Sequence, residues 1–153
     1  MKFSTNEMTE KLAREILTWR YEAPYDFYNQ YANEEDLAEL LNGSYQVIAD
    51  SNGQIIGFYC TGQSAQVPKG HDFNVYQVPF LDFGLGLKPE LTGQGLGQAF
   101  LDFILQQLDE EPLRLTVATF NKRAIRLYER FGFEQVACFS NGQVEFMTMV
   151  RGG

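Results

Sequence analysis

Three glycines at alternate positions, Gly93, Gly95 and Gly97, stand where an extended pattern gives way to a helical one. Upstream, Phe80–Leu87 alternates as a strand does, with Leu81, Phe83, Leu85 and Leu87 on one face and Asp82, Gly84 and Gly86 on the other. Downstream, Leu96, Ala99, Phe100, Phe103, Ile104 and Leu108 fall at the spacing of one helical face. A helix start carries backbone N–H groups without intrahelical partners and the positive end of the dipole. Glycines there let an anion approach the backbone, so Gly93, Gln94, Gly95, Leu96, Gly97 and Gln98 read as a phosphate cradle. A P-loop would need Lys and then Ser or Thr after the last glycine, where Gln98 and Ala99 stand. A dinucleotide fingerprint would space its glycines G-x-G-x-x-G and place an acid on the next strand, and Leu113–Ala118 has none. A glycine-rich turn without a ligand gives the same pattern and stays open at this point.

The second group lies between Asn121 and Phe133. Asn121 suits the cap of a helix that carries Lys122, Arg123, Arg126 and Arg130, a basic cluster in a chain of net charge −8. Such a cluster can meet an outer phosphate or simply face solvent. Tyr128 offers a phenol, protonated at neutral pH with a pKa of ~10 and roughly matched to a thiolate leaving group. A packed core tyrosine is the rival reading.

Thr92-Gly93-Gln94-Gly95-Leu96-Gly97 resembles motif A of the GNAT superfamily of acyl-CoA-dependent N-acetyltransferases. That motif runs Arg or Gln, two free positions, Gly, one free position, then Gly or Ala; both glycines match, and Thr92 stands in place of Arg or Gln. Asn121-Lys-Arg-Ala-Ile-Arg-Leu-Tyr-Glu-Arg-Phe-Gly-Phe133 resembles motif B, with Asn121, Ala124, Tyr128, Gly132 and Phe133 in place. The resemblance covers roughly Phe80 to Phe133.

It implies an α/β (α+β) GNAT fold: one mixed central sheet of about seven strands, about four helices and a splayed parallel pair. Residues 1–153 would form a single domain. It implies acetyl-CoA as co-substrate and no metal. The pyrophosphate would lie on the glycine loop, and the pantetheine arm would pair with the backbone of Leu85, Gly86 and Leu87, the glycine face leaving room for a thin chain. Asn121 and Arg123 would meet the cofactor as well, and Tyr128 would protonate the departing sulfur. The amine would attack the thioester directly, since no Cys or Ser nucleophile with a partner His is visible. Relatives of the RimI type carry a Glu in the strand before motif B; here that position is Thr116. Asp82 is the substitute candidate for the base, alongside water with no dedicated base, and Glu22 or Glu145. The alternative to an enzyme is a GNAT-fold module that binds acyl-CoA as a sensor or interaction domain.

The acceptor side is read from Trp19–Tyr31, which holds Tyr21, Tyr25, Phe27, Tyr28 and Tyr31 beside Glu22 and Asp26. Tyr21, Glu22, Tyr25 and Tyr28 are the candidate substrate contacts, since rings and acids together suit a cationic amine; rings packed over the sheet would look the same. The expected acceptor is a small-molecule amine or a peptide N-terminus. With 153 residues and 44% apolar composition the chain suits one core. Its acidity argues against a nucleic-acid surface. No run approaches the ~18 apolar residues of a membrane span, and no leader pattern opens the chain. A cytoplasmic monomer or homodimer is expected. Cys60 and Cys138 sit in apolar runs and read as reduced, packed thiols.

The elements that must position these groups follow in order. Met1–Ser4 suits an edge strand and Thr9 caps a first helix. Asn33 caps a second, whose acids Glu34, Glu35 and Asp36 fill the first turn as the dipole prefers. Tyr45–Asp50 and Gln54–Cys60 form a hairpin about Asn52-Gly53. Thr61–Asn74 is a long loop holding His71, the only histidine, either solvated or making a substrate or acid-base contact. Gln135–Ser140 and Gln143–Val150 close the chain as a second hairpin.

Overall fold

A computed structural model describes residues 2–108 and 112–152; Met1, expected at the start of an edge strand, lies outside them. Among the described residues, seven strands form one mixed sheet. They are β1 (Ser4–Glu7), β2 (Tyr45–Ala49), β3 (Ile55–Thr61), β4 (Leu81–Leu87), β5 (Leu113–Ala118), β6 (Glu134–Ser140) and β7 (Glu145–Arg151), in the order β1-β2-β3-β4-β5-β7-β6. The α-helices are α1 (Glu10–Ile16), α2 (Glu34–Leu40), α3 (Gly97–Leu108) and α4 (Lys122–Arg130). The chain divides into two compact units, one of Met1–Cys60 with Leu85–Gln106, the other of Thr61–Gly84 with Gln107–Gly153. β4 belongs to the second unit up to Gly84 and to the first from Leu85.

The first unit is built from local signals. Thr9 Oγ1 accepts from Leu12 N–H at 3.2 Å, and Asn33 Oδ1 accepts from Asp36 N–H at 2.7 Å, so both predicted caps start their helices. β2 and β3 pair antiparallel about a turn in which Asp50 Oδ1 accepts from Asn52 and Gln54 N–H. A bulge at Ile48/Ala49 shifts the register. α3 buries Phe100, Leu101 and Ile104. Ala99 is exposed, so the buried stripe is rotated toward Leu101 from the expected face.

In the second unit β4 and β5 run parallel through Leu81↔Leu113 and Asp82↔Arg114; β4 continues to Leu87 and β5 to Ala118 beyond that register. β5 pairs antiparallel with β7 along its whole length, and β7 with β6. The stretch Thr61–Asn74 is structured: two 3-10 turns, Gly62–Ala65 and Pro68–Phe73, fold it. Gly70 is buried there, and a Cβ on it would press against Tyr76 and Val75. Phe139 and Phe146 stack with ring centroids 5.5 Å apart, and Val67 and Val75 pack on that cluster. Cys60 is buried but Cys138 is exposed on the edge strand β6, so only one of the two thiols is packed.

Candidate functional site

In the first unit the glycine loop has the backbone a cradle needs. Gly93 and Gly95 adopt φ of +74° and +77°, in the left-handed region that L side chains avoid. Positive-φ glycines alternating with ordinary residues are the pattern of an anion-binding nest. The bond from Phe100 N–H to Leu96 C=O (3.0 Å) closes the first turn of α3, so the N–H groups of Gly97, Gln98 and Ala99 precede it. A Cβ at Gly95 would meet nothing within 4 Å. The space beside the loop is open, and conformation rather than crowding requires glycine there. The loop is anchored from behind, where Thr92 Oγ1 donates to Pro89 C=O (2.7 Å) and Gln94 Nε2 to Glu90 C=O (2.7 Å). These residues fit a pyrophosphate.

At Gly86 a Cβ would clash with Cζ of the half-buried Phe58 ring, so the missing side chain on that face makes room for an aromatic of the protein itself. Across from it, a Cβ on Gly57 would meet Gly86 C=O and the Phe100 ring. Both glycines permit close strand and helix packing.

Tyr21 is tied to the same strand end, its hydroxyl donating to Leu87 C=O at 2.6 Å and its N–H to Asn29 Oδ1 at 2.7 Å. Burial, with a smaller contribution from the Glu90 charge, pushes its phenol up to about 12. Tyr25 and Tyr28 belong to a 3-10 turn, Tyr25–Tyr28, in which Phe27 and Tyr28 meet edge to face at 5.1 Å. Tyr28 and Glu22 are exposed and Tyr25 is half-buried. Phe27 is 42% exposed. The segment does stack a cation on a ring, but an internal one: the Arg20 guanidinium lies 4.7 Å over Tyr31.

The second unit holds side-chain chemistry that the sequence conceals. Asp82 is 3% exposed and takes both arms of Arg114, Nε to Oδ1 at 2.7 Å and Nη2 to Oδ2 at 2.8 Å. Gln66 Nε2 donates to Oδ2 as well, at 2.9 Å. A carboxylate so engaged has a different occupation from the proton acceptor expected of it. Arg114 also donates to Val78 C=O and lies over the Tyr76 and Phe80 rings, at 5.2 and 5.5 Å. The Tyr76 hydroxyl accepts from Val67 N–H (2.9 Å) and bonds Thr116 Oγ1 (2.8 Å). Burial raises the Tyr76 phenol above its ordinary value, the Thr116 bond opposing. Arg114, Gln66 and Tyr76 were not anticipated. Charges at Asp82 and Arg114 inside apolar strand runs were the available signal, because a buried charge requires a partner.

Asn121 caps α4, its Oδ1 accepting from Ala124 N–H at 3.3 Å. Arg123 is exposed with Lys122, Arg126 and Arg130. Tyr128 is buried, with its ring edge-on to Phe133 at 6.2 Å. The C=O of Tyr128 accepts from Phe131 and Phe133 N–H where Gly132, at φ +90°, turns the chain.

Comparison with known proteins places this geometry. The model of the acetyltransferase (GNAT) family matches residues 10–133. A 5-NmdU N-acetyltransferase of Pseudomonas phage PaMx11 is 28% identical over 122 residues, covering 78% of this chain and 79% of the phage protein. A mycothiol acetyltransferase of Streptomyces coelicolor is 35% identical over 89 residues, 56% of this chain but only 26% of the longer relative. A spermidine N-acetyltransferase SpeG chimera from Vibrio cholerae and hSSAT superposes with a TM-score of 0.71 at 21% identity, over 98% of this chain and 95% of that one.

Proposed function

The chain belongs to the acetyltransferase (GNAT) family, and from that premise we propose that it moves an acetyl group from acetyl-CoA to a primary amine, of a small molecule or a peptide N-terminus, as one domain over residues 1–153. The observation that carries this reading is the loop before α3, where Gly93 and Gly95 hold positive φ and the space beside Gly95 is open. The N–H groups from Gly93 to Gln98 bind the pyrophosphate, with the α3 dipole behind them. The backbone of Leu85, Gly86 and Leu87 lines the pantetheine arm, and Asn121 and Arg123 contact the nucleotide portion. Acetyl-CoA supplies the activated acetyl thioester.

Tyr128 donates its phenolic proton to the departing sulfur. Tyr21, Glu22, Tyr25 and Tyr28 form the acceptor side, Tyr21 fixed in place by Leu87 C=O. Asp82 is assigned as a positioning residue: Arg114 and Gln66 fill its oxygens. The names of relatives, which act on 5-NmdU, mycothiol and spermidine, support a small-molecule acceptor.

The test is release of free thiol from acetyl-CoA in the presence of a panel of primary amines: spermidine, ethanolamine and an alanyl dipeptide. Turnover with one of them, reduced ~100-fold or more in kcat by Tyr128→Phe with acetyl-CoA affinity retained, supports the assignment. Binding of acetyl-CoA without turnover would point to an acyl-CoA-binding module.

A further inference from the structure

We propose that Arg20 is a positioning residue for the acceptor amine, a clasp that holds residues 21–30 as a preformed loop; the proposal rests on the acetyltransferase reading, in which that loop forms the acceptor side. The ordinary role for such an arginine is a helix cap. α1 ends at Ile16, and Arg20 Nη1 donates to Leu17 C=O at 3.0 Å, one of the carbonyls that a helix end leaves over. The same nitrogen reaches further. It donates to Trp19 C=O at 2.6 Å and to Gln30 C=O at 2.7 Å, the latter ten residues along the chain. A guanidinium nitrogen of this kind has two hydrogens, so three carbonyls require one of them to be shared. The two shorter contacts, Trp19 and Gln30, lie on opposite arms of the loop. A cap needs neither of them.

The closure is repeated alongside. Tyr21 N–H donates to Asn29 Oδ1 at 2.7 Å, and the Arg20 guanidinium lies 4.7 Å over the Tyr31 ring. Arg20 and Tyr21 on the entering arm thus hold Asn29, Gln30 and Tyr31 on the leaving arm. Each arm is also fixed within the first unit. Trp19 is buried and stacks on Phe58 with centroids 6.1 Å apart, and Tyr31 N–H donates to Asp36 Oδ2 at 2.8 Å. The Tyr21 hydroxyl holds Leu87 C=O. Between the arms, Glu22, Asp26, Phe27 and Tyr28 are exposed. A compact loop with joined ends and an open tip is a form that functional segments take. Arg20 is the only cation between Trp19 and Tyr31. Its head group is used at the base, so the tip keeps rings and carboxylates without a cation among them.

A loop that samples open forms binds its ligand more weakly, in proportion to the fraction that is closed. Arg20 acts on that fraction. Its contacts are with the end of α1 and the two arms of the loop, so its effect belongs on the KM of the amine.

Steady-state kinetics with the best amine of the panel give the test, with acetyl-CoA affinity followed by calorimetry. If Arg20→Met lowers the closed fraction to about a tenth, KM for the amine rises ~10-fold, while kcat and acetyl-CoA affinity stay within ~2-fold of wild type. Arg20→Lys keeps the charge and three donors but loses the planar head, and its KM should fall between the two. Hydrogen exchange over residues 21–31 should quicken in Arg20→Met while that of α3 stays as in wild type. An unchanged KM in folded Arg20→Met overturns the proposal and leaves the acetyltransferase reading in place, the residue then being a cap. A loss of kcat or acetyl-CoA affinity as large as the rise in KM overturns it too, since the effect is then not confined to the acceptor. Should Arg20→Met fail to fold, Tyr31→Leu removes the stack alone and should raise KM about 2- to 5-fold, the contribution of one exposed cation–π contact; no rise overturns the proposal. No turnover by wild type with any amine removes the acetyltransferase reading, and this assignment with it.

Discussion

The glycine loop of the first unit and the buried polar chain of the second solve opposite problems. At Thr92–Gln98 the working groups are backbone N–H groups, and the side chains have been deleted or turned back, as Gln94 and Thr92 are toward Glu90 and Pro89. At Gln66, Asp82, Arg114, Tyr76 and Thr116 the working groups are side chains, each occupied by another. The loop stays open toward solvent, whereas the Asp82–Arg114 pair has been taken out of it. A backbone site can tolerate exposure because a helix end supplies the field. Buried charges hold only when every oxygen and N–H is matched.

That contrast sets the order of mutational effects. Arg114→Met should be the most damaging, since it strands a carboxylate that is 3% exposed; a loss of about 3–5 kcal/mol in denaturant unfolding is expected. A loss under 1 kcal/mol would mean that the pair is not buried as described. Gly86→Ala comes next, with a Cβ driven into the Phe58 ring and about 1–3 kcal/mol of overpacking. Combining it with Phe58→Leu should restore part of that stability. If instead Gly86→Ala leaves stability untouched and weakens acetyl-CoA binding, the glycine serves the ligand after all.

Smaller again is Tyr76→Phe, which removes the partner of Val67 N–H and Thr116 Oγ1 and should cost about 1–2 kcal/mol by thermal or chemical unfolding. Tyr21 sharpens the comparison on the pH axis. Its phenol is raised to about 12 in the folded protein against about 10 unfolded, so its stabilising contribution is complete below pH ~10. That contribution is lost as pH rises through about 12. Tyrosinate absorbance should show a late-titrating amplitude that Tyr21→Phe reduces by one tyrosine's worth, burial raising Tyr76 as well. An unchanged late amplitude in the variant would contradict the assignment to Tyr21.

Legibility followed sequence separation. Thr9, Asn33 and Asn121 cap the helices predicted for them because a cap acts across three residues. The Asn52-Gly53 turn and the glycine loop announce themselves for the same reason: positive φ is a local demand. The family motifs were readable because they are runs of such local demands. The polar chain was hidden, since Gln66 is 16 residues from Asp82, Arg114 is 32 from it, and Thr116 is 40 from Tyr76. Nothing near Asp82 in sequence reveals that its oxygens are taken. Gly86 misled in a related way. Its strand position was read correctly, but Phe58, the ring that fills the gap, lies on another strand. The loop Thr61–Asn74 lacks periodicity, so its two 3-10 turns, packed on Phe139 and Tyr76, depend on tertiary contacts.

The central claim is that backbone at Gly93–Gln98 binds the cofactor's phosphates, and calorimetric titration of acetyl-CoA into wild type and Gly95→Glu tests it most directly. The variant places a carboxylate into space that is open in the protein, at a strain cost of roughly 1–2 kcal/mol for the left-handed φ, so it should remain folded. Saturable binding by wild type and none detectable by Gly95→Glu is the expected result. Equal affinity in the two proteins, or no binding by wild type, would contradict it.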